Sequence, residues 1–299
     1  MRIVSLHPAA TEIVFALGLG EELVGVTAYC DEPAAAVSAL GIPVVARRPV
    51  HPLVGGVPGP GLLELDLAAL NEADPDLVIL SDSSRVCAVG AREMREIADE
   101  IDEEISVLSL DPVSVEGVLN AIQTVGAMTE AEDEAMDVVL GLRERLQRIE
   151  GMVVARRDNG FIAPRIAALE WLDPPMSVGR WIPEQARLAG GWELLGREGE
   201  RGATTSWTAL HEVDPEIIVL MPAGLHLPDA LALWERTLRP EGWDELAAVR
   251  AGRVFVADSA SYFWRPGPRI VDGIEVLAEI VDPAAFDGLS PSDGFVRLG

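Results

Sequence analysis

The chain contains no lysine. All 23 of its basic residues are arginine, set against 49 aspartates and glutamates for a net charge of −26. That imbalance repels polyanions over most of the surface and argues against nucleic acid or an anionic membrane as partner. Cysteine is almost as scarce: Cys30 and Cys87 are too few for a disulfide framework and lack CxxC spacing, which leaves structural zinc unsupported. No stretch approaches the ~20 consecutive apolar residues of a membrane span, so direct membrane insertion is not expected. A nucleophile elbow, a Walker loop, a GxGxxG turn and an HExxH helix are all missing, and with them the standard hydrolase, nucleotide-binding and zincin readings. Aromatic residues make up only 5% of the chain, and none of the seven tryptophans precedes Trp171.

What is present is globular. Hydrophobic residues are 49% and charged residues 24% of the 299 positions, and a chain of this length forms one large or two ordinary domains and buries roughly 75% of its unfolded surface. A GC-rich genome that favours arginine codons explains the missing lysine but not the acid excess. The excess points to a halophilic setting, in which concentrated salt screens a carboxylate-rich surface. Met1 runs directly into Arg-Ile-Val-Ser-Leu with no basic segment, apolar segment or cleavage site. The expectation is a cytoplasmic protein, or an extracytoplasmic one whose leader was omitted.

Strand and helix signals alternate through the first half. Arg2–Leu6, Leu23–Thr27, Pro43–Val45, Leu77–Ser81 and Ile105–Leu110 read as buried strands, with helices at Pro8–Leu19, Leu67–Glu72 and Ala91–Glu100 and a Pro/Gly-rich loop at His51–Gly61. This is βαβ patterning and implies a mainly parallel sheet. From Asp111, expected as a cap, and Pro112, expected as a helix start, the pattern is helical for about forty residues. Thr129 and Glu132 form a capping-box signature that opens a segment running to Glu150. Alternation then resumes with strands at Arg165–Glu170, Glu216–Leu220 and Arg253–Ala257 and helices at Pro183–Ala189, Trp207–Glu212, Pro228–Leu238 and Gly267–Ile280. The reading is an α/β protein of two Rossmann-like lobes, residues 1–128 and 151–299, joined by a spacer helix at 129–150.

Three segments carry a resemblance: RIVSLHPAATEIVFALGLGEELVGVTAYCDEP at the start, ADPDLVILSDSSRVCAV in the middle and RVFVADSASYFWRPGPRIVDGIE near the end. In order and over about residues 1–282, they resemble the helical-backbone class of substrate-binding proteins, which includes the B12-binding component of ABC importers. Val86–Val89, Glu170–Pro174, Trp181–Glu184 and Arg265–Arg269 look closest to a leaderless subgroup labelled cobalamin-binding. The resemblance implies two lobes joined by one rigid helix, with the ligand in the cleft between them. It also implies departures. Ala68 and Thr208 stand where the importer protein has glutamates that dock onto the permease, and Ser261 stands where it has an acidic ligand contact, while the neighbouring arginine is kept as Arg265. An ABC permease is therefore disfavoured as partner, and a monomer that holds a small molecule is expected.

A flat macrocycle calls for aromatic faces and a few polar groups to fix its orientation. Tyr29 matches the family's ligand-facing tyrosine. Trp171 follows directly on a strand, so it faces the cleft or the core; Trp181, before Pro183, either lines the site or staples a helix. Of three successive aromatics, Tyr262 and Trp264 are assigned to the site and Phe263 to packing. Trp192, Trp234 and Trp243 read as packing residues. His7, directly after the first strand, either bonds locally or ligates a metal centre. Arg85, Arg180 and Arg265 suit carboxylate or phosphate groups on a ligand, or pair with surface acids. Glu170 and Asp173 bracket Trp171 as an acid/base pair in an enzyme, or hold Arg180 or a ligand amide in a binder. Cys30 and Cys87 are either buried thiols or a pair at the cleft rim. The function expected is that of a binder for cobalamin or a related corrinoid, without catalysis, metal ligands or a cofactor of its own. The alternatives are an enzyme in the same cleft, or an importer subunit for B12, heme or an iron siderophore. If the charge reflects a halophilic setting, the melting temperature should rise steeply between low and molar KCl; a flat profile would leave codon bias alone.

Overall fold

The computed structural model describes residues 1–47, 63–81 and 105–298. The expected loop at His51–Gly61, the helix at Ala91–Glu100, Arg85 and Cys87 lie outside the described residues. Contacts divide the chain into two units, 1–112 with 118–140, and 113–117 with 141–299.

The first unit is built on a six-stranded sheet. Its elements run β1 (Ile3–Ser5), α1 (Pro8–Ala16), β2 (Leu23–Thr27), α2 (Ala34–Leu40), β3 (Val44–Arg47), β4 (Glu64–Leu65), α3 (Leu67–Ala73), β5 (Leu77–Leu80), β6 (Ser106–Ser109) and α4 (Val115–Met128), of which α4 spans both units. The order β4-β3-β2-β1-β5-β6 is parallel throughout except for the β3–β4 pair. Central strands read IVS and LVIL and are buried along their whole length, as strands covered on both faces must be. Val4, Leu6, Val45, Leu70, Val78 and Leu80 form the core between sheet and helices. The chain leaves β1 toward β2 and later returns to the other side of β1 with β5, so a topological switch point lies between β1 and β5.

Two helix starts differ from expectation, for reasons of hydrogen bonding. Asp111 is not a cap: its carboxylate accepts from Ser81 and Ser109, and the hydroxyl of Ser114 takes the Gly117 N–H instead. Thr129 does not open a capping box. Its hydroxyl donates to the Val125 carbonyl at 2.8 Å, closing α4. The next helix, α5 (Glu132–Asp158), has 27 residues and is about 40 Å long. It runs on past Glu150, and its residues are shared between the two units, which divide between Leu140 and Gly141. Acids fill its first turn and Arg156 and Arg157 its last, complementing the helix dipole.

In the second unit the elements are β7 (Arg165–Leu172), β8 (Pro175–Ser177), α6 (Ile182–Leu188), β9 (Trp192–Glu193), α7 (Trp207–Val213), β10 (Ile217–Leu220), α8 (Leu227–Arg236), α9 (Ala247–Arg250), β11 (Val254–Ala257), α10 (Ser259–Tyr262), α11 (Ile270–Val281), α12 (Pro283–Phe286) and β12 (Phe295–Leu298). The sheet order is β12-β11-β10-β7-β8, with β9 also on β7; the β7–β10 and β10–β11 pairs are parallel. The strands β8, β9 and β12 were not foreseen. Trp171, expected just beyond its strand, lies inside β7, because β8 folds back and pairs Met176 with it.

A repeat that the strand and helix signals did not disclose links the units. Residues 66–80, DLAALNEADPDLVIL, and 206–220, SWTALHEVDPEIIVL, agree at six positions and build the same cap–helix–strand segment. Asp66 and Ser206 cap by accepting from Ala69 and Ala209 N–H, and Asp74 and Asp214 end the helices in the left-handed region at φ 45° and 37°. Arg2 donates its N–H to Asp76 and its guanidinium to Ala73 O; Arg165 does the same to Glu216 and Val213 O.

Within the second unit, α5 is clamped to α11 through ions. The Arg145 guanidinium binds both Asp272 and Glu275, Arg148 reaches Glu275 at 3.4 Å and Arg156 holds Asp282 at 2.6 Å. Glu275 and Asp282 are buried, where a carboxylate without its ion-pair partner is costly. Arg145→Ala, which takes the arginine from Asp272 and leaves Glu275 with Arg148, should cost about 2 kcal/mol in urea unfolding, with Arg145→Lys losing less.

Candidate functional site

Parallel strands release their loops at one edge, and at the carboxyl edges of both sheets polar and aromatic side chains collect. In the first unit His7 follows β1. Its ring is 3% exposed and caps α1, Nδ1 accepting from the Ala9 N–H at 3.2 Å. In the neutral ring that bond places the proton on Nε2, which removes the lone pair a metal would need. Thr11 donates to Ser5 and Ser5 to the His7 carbonyl, fixing the turn. After β2, the Thr27 hydroxyl accepts the Tyr29 N–H and lies 3.3 Å from the Cys30 sulfur. Cys30 is buried; Tyr29 is half-buried in the turn.

The second unit places its aromatics unequally. Trp171 is half-buried and its indole N–H donates to the Asp173 carbonyl at 3.1 Å. Trp264 is also half-buried and lies over Gly224, where an added Cβ would sit 3.7 Å from the indole nitrogen. Trp181, by contrast, is 3% exposed and donates to the Phe263 carbonyl at 2.9 Å. Tyr262 is 6% exposed and donates its hydroxyl to Asp293 at 2.8 Å, tying the C-terminal segment to the edge. Burial and Asp293 push the Tyr262 hydroxyl well above its ordinary pKa. Arg265 is buried at 5% exposure, and Phe263, assigned to packing, is fully buried. Trp234 and Trp243 pack against each other at 5.2 Å between ring centroids, whereas Trp192 is exposed.

Three acids stand out in this unit: Asp258 and Glu170 toward the carboxyl edge, and Glu193 beside the first half of β7. Asp258, after β11, accepts from Ser261 N–H at 2.7 Å, Leu227 N–H at 3.1 Å and the His226 ring at 3.2 Å. Burial opposes its charge, yet these bonds outweigh that and hold its pKa below the ordinary value. Ser261, in the place of the family's acidic contact, is buried and spent on this turn. Glu193 is buried and accepts N–H bonds from Ala168, Leu195 and Gly196 at 2.8–3.0 Å; burial lifts its pKa to about 7 against their pull. Glu170 is half-buried near the end of β7, and burial raises its pKa to about 7 against the lowering field of Arg180. The loop that presents Arg180 holds it at a left-handed φ of 55°. Asp173 is exposed in the β7–β8 turn, and among the described residues no hydrogen bond joins it to Glu170. Among the described residues no cluster of three or more His, Cys, Asp or Glu is placed to hold a metal, and no helix is long and apolar enough to cross a membrane.

Two α/β units, each with its polar and aromatic loops at the carboxyl edge of a mainly parallel sheet, define the class of two-lobed binding proteins. Residues 3–260 match the family model for periplasmic binding proteins, and the chain belongs to that family. It is 26% identical over 289 residues to an uncharacterized ABC transporter substrate-binding lipoprotein, YvrC, of Bacillus subtilis, covering 95% of this chain and 81% of the relative. It is 21% identical to the vitamin B12-binding protein of Vibrio cholerae, over 92% of this chain and 86% of that one. Among solved structures, a periplasmic heme-binding protein from Pseudomonas aeruginosa superposes with a TM-score of 0.75 at 22% identity, covering 100% of this chain and 99% of the other. The cytoplasmic location expected from the opening residues gains no support from these relatives, the first of which is a lipoprotein.

Trp181→Phe removes a buried hydrogen bond and should lower stability by about 1 kcal/mol in denaturant unfolding. An unchanged midpoint would show that the indole N–H contributes nothing to the fold.

Proposed function

We propose that this protein is a substrate-binding protein of the ABC-transport type that holds cobalamin or a related flat, metal-chelating macrocycle such as heme. The observation that carries the reading is the pair of half-buried indoles at the carboxyl edge of the second unit, Trp171 near the end of β7 and Trp264 in the loop after α10. Tyr29 is half-buried at the carboxyl edge of the first unit. Such rings stack on a macrocycle face. The names of the B12-binding and heme-binding relatives point the same way. Of the other expected ligand residues, His7, Trp181 and Tyr262 are engaged in building the edges, and Arg265 is buried there.

Docking onto a membrane permease through paired charges is disfavoured at Ala68 and Thr208. These are the second residues of α3 and α7, matched by the repeat, exposed and uncharged. Unpaired partner charges at an interface typically cost a few kcal/mol.

Titration with cyanocobalamin, hemin and a ferric hydroxamate siderophore should quench tryptophan fluorescence for at least one of them at one site per chain. Trp171→Ala and Trp264→Ala should each weaken that binding by about tenfold, or about 1.4 kcal/mol, whereas Tyr29→Phe keeps its ring and should leave it nearly unchanged. No quenching by any of the three at about 100 μM, equivalent to binding weaker than about −5.5 kcal/mol, would overturn the reading. Added to vesicles carrying the host's B12 permease, the protein should leave ATP hydrolysis unchanged.

A further inference from the structure

Glu170 differs from the other largely buried acids of the second unit. Asp258 and Glu193 are satisfied by N–H groups, and Asp272, Glu275 and Asp282 by arginines. For Glu170, no hydrogen bond to either carboxyl oxygen is formed among the described residues. Its position is nonetheless fixed. The Ala223 N–H holds its carbonyl at 2.8 Å, β7 holds its backbone, and the 200–202 segment closes against its carboxyl. That closure requires glycine: a Cβ at residue 202 would lie 2.4 Å from Oε1 and 2.3 Å from the Ser177 carbonyl. A carboxyl held this way, partly desolvated by the segment that ends at Gly202 and followed in the chain by the half-buried Trp171, has hydrogen-bonding capacity that the described residues do not use.

We propose that Glu170 is a specificity-determining residue that, as a neutral carboxylic acid, donates a hydrogen bond to an oxygen acceptor at the periphery of the bound solute, an amide carbonyl or a carboxylate. The proposal rests on the solute-binding reading and names the chemistry of one contact in that site. The surrounding charges permit it. Arg180 is the charged group whose field reaches the carboxyl, and its lowering effect is smaller than that of burial. Asp173 is exposed in the adjacent turn, Glu200 and Arg201 on the covering segment are exposed, and Glu198 is taken by Arg187 at 2.7 Å. With a pKa of about 7, a large fraction of the free protein carries the proton near neutrality, and a solute that accepts it stabilises that form further. The sign follows. Binding is strongest below pH 7 and weakens as the carboxyl ionises above it.

The test compares wild type with Glu170→Gln and Glu170→Ala, titrated with cyanocobalamin, which offers amides, and with hemin, which offers carboxylates, at pH 6 and pH 8.5. For the probe that binds, wild-type affinity should fall about tenfold across that range. Glu170→Gln, whose amide donates at every pH, should stay flat, and Glu170→Ala should be about fivefold weaker than wild type at pH 6. Wild-type binding as flat as that of Glu170→Gln, or Glu170→Ala binding as well as wild type, would overturn the proposal while leaving the solute-binding reading intact. If neither probe binds, urea unfolding still decides. A raised carboxyl pKa gives stability that is present below about pH 4.5 and lost as pH rises through 7, so Glu170→Gln should stabilise the protein more at pH 8.5 than at pH 5. Equal effects at the two pH values would mean an acid already ionised in neutral water, which cannot donate, and would sink the proposal.

Discussion

Parallel pairing of the central strands is the constraint from which the site follows. Because β1 with β5 and β7 with β10 run in the same direction, the loops after them leave from one edge of each sheet. The strands themselves are apolar and buried on both faces. Every polar group that follows a strand therefore appears at that edge, and backbone N–H groups left over where strands give way to helices have to be satisfied there. His7 and Asp258 do this: each accepts from the backbone that turns past it.

This use of polar side chains explains why residue type alone is a poor guide to ligand contact here. A histidine after a strand, a tyrosine in an aromatic run and a tryptophan before a helix all look like ligand residues in a sequence. In the fold, their polar atoms are bound within 3.2 Å by the edge they occupy. Glu170 is the converse. It was legible as a candidate, but its distinction, a partly desolvated carboxyl with no hydrogen-bond donor among the described residues, depends on Gly202, thirty-two residues away along the chain.

The long helix α5 adds a second constraint. Three of its arginines fall on the side that meets α11 and neutralise acids that would otherwise be buried and charged. In a chain with an excess of acids, arginine is the suitable partner: its planar fork binds two carboxylates at once, as Arg145 does with Asp272 and Glu275.

The alternation of strands and helices, the parallel sheets, the long helix and the family were all legible in the sequence, because runs such as LVIL and IIVL suit only strands covered on both faces and the flanking Pro and Gly punctuate them. The duplicated segment at 66–80 and 206–220 was equally available in the letters and marks the first-unit and second-unit halves of one design. The short strands β8, β9 and β12, the cap at Ser114 in place of Asp111, and the division of aromatics into half-buried Trp171 and Trp264 and buried Trp181 and Tyr262 were decided only by tertiary structure. All three of those strands have four residues or fewer, too short for an apolar period of their own, and a side chain's exposure depends on what distant segments lay over it. Local pattern fixes which residues form an element; the packing of remote chain against it fixes which of its side chains remain available to a ligand.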